Sequence, residues 1–166
     1  MIYKIAKRSA RSALGDDFAE VWYTFVKSFN RLKAPPQFVG FFQDDLDKAR
    51  TQAEKEFLSH LSSLSGQLEI LQGFVSKKAN TEEGKIKSNL LDLNVILSRV
   101  RVFLKQIVKP SEEVVKSAKR YGMNQNSGKQ NILRVAFKKV KRPLGIHLIL
   151  ARRKIREVAS LKNTKR

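Results

Sequence analysis

Arg134, Lys138 and Lys141 recur at i, i+4 and i+7, a spacing that sets three cations on one face of a helix. Lys139 and Arg142 stand beside them, Lys129 precedes them, and Arg152, Arg153 and Arg156 follow. The chemistry open to such an array is phosphate neutralisation. Each Lys or Arg that meets a phosphate releases a condensed counterion, so binding is strong at low salt and falls steeply as salt rises. A second set, Lys4, Lys7, Arg8 and Arg11, has the spacing i, i+3, i+4, i+7. It suits a phosphate backbone or an anionic lipid surface equally well.

These cations account for the distribution of charge along the chain. Residues 1–14 hold four Lys/Arg and no acid, residues 15–113 hold 14 Lys/Arg and 14 Asp/Glu, and residues 114–166 hold 16 Lys/Arg against Glu157 alone, for a net charge of +19. A balanced centre can pack on itself, whereas the two cationic ends call for an anionic partner. Nucleic acid leads as that partner, an anionic membrane comes second and acidic protein third. Only Tyr121 and Phe137 are aromatic within the basic third, so a platform for stacking single-stranded bases is not indicated. Zinc-finger spacing, a basic zipper and an RNP-type motif are all missing, which favours contact with the phosphate backbone, indifferent to sequence.

Other residues offer little chemistry. There is no Cys, so disulfides and thiolate nucleophiles are excluded. The two histidines, His60 and His147, lie in apolar or helical surroundings, and Asp44, Asp45, Asp47, Glu54 and Glu56 read as helix-start and exposed-face charges. Gly128-Lys129 lacks the remainder of a phosphate-loop pattern. The expectation is a protein that is not an enzyme, with no cofactor, no metal and no small-molecule substrate. Trp22, Tyr23, Phe25 and Phe29 have helical spacing and read as core, while Phe38, Phe41 and Phe42, after a proline turn, read as a subunit interface in a homo-oligomer or larger assembly.

The elements that must position these residues are helices, and the predicted fold class is all-α. Asp16-Asp17 read as an N-cap, and Phe18, Val21, Trp22, Phe25, Val26, Phe29 and Leu32 form one apolar face, ended by Ala34-Pro35-Pro36. Asp44-Asp45 open a second helix whose stripe runs through Leu46, Ala53, Phe57, Leu61, Leu64, Leu68, Leu71 and Val75 to Lys77-Lys78. After a turn near residue 80, Ile86, Leu90, Leu93, Leu97, Val100, Leu104 and Ile107 alternate steps of 4 and 3, until Pro110 is expected to stop the helix. Helices two and three form an antiparallel hairpin, and the aromatic-rich helix completes a three-helix core. Ser111 is expected to cap a short helix that ends at Tyr121-Gly122. A polar loop over 122–128 leads to a basic helix with a break at Pro143-Leu144-Gly145, and residues 145–150 read as helix rather than strand.

This gives a basic N-terminal arm (1–15), a helical bundle core (16–121) and a basic helical C-terminal region (122–166). The first 14 residues are acid-free and rich in Arg, Ser and Ala, as in a mitochondrial targeting segment, with a retained basic arm as the preferred reading. No stretch approaches the ~20 apolar residues of a membrane span. The function expected is structural, non-enzymatic binding of nucleic acid, DNA or RNA, as in a genome-coating virion or nucleoid protein. The alternatives are a small basic subunit of a mitochondrial ribosome or respiratory assembly, or a peripheral protein on anionic membrane.

Overall fold

In a computed structural model of the chain, the backbone is described for residues 6–36, 45–121 and 127–164, and side chains for 6–36, 52–117 and 128–164. The protein is all-α. Its helices are α1 (Lys7–Leu14), α2 (Asp16–Asn30), α3 (Asp45–Ala79), α4 (Gly84–Tyr121) and α5 (Ser127–Thr164). No strand occurs among the described residues. The chain divides into two compact units. Unit 1 holds Met1–Arg31, Leu64–Val102 and Leu144–Arg166, and unit 2 holds Leu32–Ser63 and Phe103–Pro143.

In unit 1, α1 and α2 are joined by the single residue Gly15, whose φ of 94° and ψ of 175° lie in a region almost confined to glycine. Its N–H donates to the Arg11 carbonyl at 2.9 Å, and its own carbonyl accepts from the Ala19 N–H at 3.1 Å. Gly15, not Asp16, therefore caps α2. Asp16 and Asp17 occupy the first turn, where negative charge favours the helix dipole. The aromatic stripe of α2 is buried as the spacing implies, with Phe18 and Trp22 stacked at 6.5 Å and Phe74 of α3 edge-on to Phe18 at 6.4 Å. The helix ends at Asn30, before the prolines expected to end it. The stripe Leu64–Leu68–Leu71–Val75 of α3 and the alternating stripe of α4 are buried. Across this pair, Gln72 donates to Ser98 at 2.9 Å and Asn94 to Ser76 at 2.8 Å.

Unit 2 has a core cluster of Phe57 and Leu61 from α3, Ile107 and Val114 from α4, and Leu133, Phe137 and Val140 from α5. The basic helix is thus core as well as charge, and a three-helix core confined to residues 16–121 is corrected on that ground. Its apolar positions recur every three or four residues and leave water with the rest of the core.

Both expected proline breaks are also corrected. α4 continues through Pro110 and α5 through Pro143. A proline inside a helix costs about 3 kcal/mol, but Ile107, Ser111 and Val114 flank Pro110 and are fully buried, and Leu144 and Leu148 are buried beyond Pro143. Packing on both sides of each proline outweighs its local penalty. Ser111 does not cap a helix; its hydroxyl donates within α4 to the Ile107 carbonyl at 2.6 Å. Residues 145–150 are helical, as read from the sequence.

Candidate nucleic-acid interface

Leu133, Phe137 and Val140 fix the rotation of the first half of α5, because they face the unit 2 core. The residues between them must then face solvent, and Lys129, Arg134, Lys138, Lys139, Lys141 and Arg142 are all exposed. Helical geometry puts Arg134 and Lys141 on one flank, Lys139 on the other, and Lys138 and Arg142 along the crest between them. From Lys129 to Arg142 the array spans about 20 Å at 1.5 Å per residue. No carboxylate lies anywhere between residues 114 and 156. Among the described residues, none of these six forms an ion pair. Exposed Ile132 and Val135 stand among them.

The remaining predicted cations fall in unit 1, so the structure divides the set between the two units. Arg153 and Arg156 are exposed and Arg152 is half-buried. Lys154, which the sequence did not single out, is the paired cation of this stretch. It meets Glu157 at 3.2 Å, Asp92 at 3.5 Å and the Asn89 side chain at 3.0 Å. The hydrogen bond that Lys154 donates to Glu157 leads the causes that raise its pKa above the usual lysine value. Lys162 meets Glu82 at 3.8 Å, a carboxylate that Lys78 shares at 3.6 Å. Burial first, and the Lys78 charge second, depress the Lys162 pKa.

The N-terminal segment is not an unmatched cationic arm from residue 7 onward. Ala10 and Ala13 are buried, and α1 packs on α2. Lys7 pairs with Glu20 at 2.8 Å and lies 4.8 Å from the centre of the Tyr23 ring, while Arg11 pairs with Asp16 at 2.7 Å. The hydrogen bond from Lys7, then its charge, hold the Glu20 carboxyl below its ordinary pKa. Only Arg8 of this set is exposed without an ion pair among the described residues. The sequence signal was present: Asp16, Asp17 and Glu20 lie within a turn or two of the cations once the chain folds back at Gly15. Lys4 and the expected interface residues Phe38, Phe41 and Phe42 lie outside the described residues.

His60 sits on α3 beside Lys55, Glu56, Ser59 and Ser63, and His147 is half-buried on α5. Glu54 is buried rather than on an exposed face, which corrects its reading, and Glu56 accepts from Gln52 at 3.3 Å. No group of three or more metal-ligating side chains occurs among the described residues. No helix searched there is long and apolar enough to cross a membrane. A feature absent from the sequence reading is the exposed apolar stripe of α4, Leu91, Val95 and Val102. Its i, i+4, i+11 spacing is shorter and less regular than the core stripe of the same helix. Comparison with known protein families, curated proteins and solved structures finds no match.

Proposed function

We propose that this chain is a non-enzymatic, structural nucleic-acid-binding protein that grips the phosphate backbone without sequence preference. The observation that carries the reading is the exposed array on the first half of α5. Among the described residues these six cations have no carboxylate mates, and they sit on a helix whose opposite face is locked in a core, so their placement precedes the ligand. Binding then loses little conformational freedom of the backbone, and the driving force is counterion release. Arg8, Arg153 and Arg156 add a second, smaller set in unit 1. Use in many copies, as in a genome-coating virion or nucleoid protein, suits such a helical body; a basic subunit of a mitochondrial ribosome or respiratory assembly is the alternative left by the acid-free start.

The test is the salt dependence of binding. If all six α5 cations neutralise phosphates on a duplex, the log–log salt slope is about −5, and reversing Arg134, Lys138 and Lys141 to Glu reduces its steepness by roughly three units. Equal loss across unrelated sequences is expected. A variant that binds as the parent does, or strong preference for one sequence, would refute the assignment. Exposed Ile132 and Val135 among the cations favour one second reading, a peripheral surface for anionic lipid. That reading expects binding to phosphatidylserine vesicles that persists after nuclease treatment.

A further inference from the structure

Resting on the phosphate-binding reading above, we infer that the ligand is double-stranded. Single-strand binders combine a basic groove with aromatic rings on which successive bases stack. No aromatic side chain among the described residues is exposed; Tyr23, Phe74 and Phe103 are half-buried. Phe137, the aromatic residue of the basic helix, is 5% exposed within the unit 2 core. Phe103 packs against that same core. Phe74 is held edge-on to Phe18, and Tyr23 lies between the Lys7 and Lys27 ammonium groups at 4.8 and 5.6 Å. Among the described residues, the exposed large hydrophobics are all aliphatic: Ile70, Leu91, Val95, Val102, Ile132, Val135 and Ile146.

Where none of the described rings is exposed for stacking, charge density sets the preference. A duplex carries one charge per ~1.7 Å of axis and a single strand about half that density. The cations also stand on both flanks of α5 and along its crest. That arrangement can meet phosphates of two strands at once, where one strand would leave a flank idle. For six neutralised phosphates the salt slopes are about −5 for a duplex and about −4 for a single strand, so at ~0.1 M salt counterion release favours the duplex by about tenfold.

The experiment is fluorescence anisotropy of the full chain with a labelled DNA duplex of about 20 base pairs and an oligo(dT) strand of about 20 residues, both followed through a salt series. The result expected is tighter duplex binding by about tenfold at ~0.1 M salt and a steeper duplex slope. Single-strand binding that equals or exceeds duplex binding overturns the inference and leaves the phosphate-binding reading standing. Failure to bind either ligand overturns both. The variant Arg134→Gln/Lys138→Gln/Lys141→Gln, with the parent's thermal transition as evidence of folding, is expected to lose most of the duplex preference. Full retention of that preference would overturn the role given to α5.

Discussion

Replacing Phe137 by Ala puts the dual character of α5 to the test. The ring is 5% exposed and belongs to a cluster with Phe57, Leu61, Ile107, Val114, Leu133 and Val140. An aromatic side chain of this kind buries some 150–250 Å². At about 25 cal/mol per Å² the transfer contribution has an upper bound of about 4–6 kcal/mol. Alanine retains part of that, and the cavity left behind adds to the cost, so the expected loss is about 3–5 kcal/mol. For a chain of this size each kcal/mol moves the melting midpoint by about 2–4 °C, which predicts a fall on the order of 10 °C. Urea unfolding followed by circular dichroism at several temperatures measures it. Because two compact units are present, the profile is to be fitted with one and with two transitions. A change below about 1 kcal/mol, within the range of ordinary surface substitutions, would mean that the basic helix rests loosely on unit 2 and that its cations are not held in place. Lys138→Ala, one residue away and exposed, serves as the matched control and should change stability by less than about 0.5 kcal/mol.

Four further outcomes are expected. Gly15→Ala forces a side chain into a conformation nearly reserved for glycine although space around it is open, so it should cost about 1–3 kcal/mol by urea unfolding, and the salt slope of binding should not change. The depressed Glu20 carboxyl contributes stability that is complete above its ordinary pKa of 4.5 and is lost as pH falls through the lower folded value; an acid titration of α1 docking should show this, and Glu20→Gln should abolish that limb. Lys154 has the opposite sign: its raised pKa contributes stability present below 10.5 and lost as pH rises through the folded value, so Lys154→Met should flatten the alkaline limb of a stability titration. Lys78→Gln removes a like charge beside Lys162 and should raise the Lys162 pKa, read by the pH dependence of its acetylation.

What the sequence made legible was periodicity. Among the described residues the stripes of α2, α3 and α4 are largely buried, with Val21, Leu32 and Ala53 half-buried, because a helix with one apolar face has one way to leave water. The same rule applied to α5, where Leu133, Phe137 and Val140 were visible, but charge composition pulled that segment apart from the core. Composition speaks of partners, whereas spacing speaks of packing, and here the two coexist on opposite faces of one helix. The prolines misled for a related reason. Their cost is local, while the burial of Ile107, Ser111 and Val114 that overrides it involves residues far away in sequence. The pairing of Lys7 with Glu20 was equally hidden, since it depends on the sharp reversal at Gly15. The exposure of the α5 cations follows from their neighbours' burial.

A proline within a helix also removes one amide proton from the ladder. In α4 the carbonyl of Gln106, and in α5 that of Lys139, has no N–H waiting four residues ahead. Isotope exchange in heavy water should therefore find two weak rungs inside long helices whose surrounding turns resist labelling. Backbone opening would begin at these interior points as well as at the frayed ends, and the one in α5 adjoins the cations assigned to ligand. Bound polyanion should slow labelling of the amides around Pro143 before it slows labelling of those around Pro110.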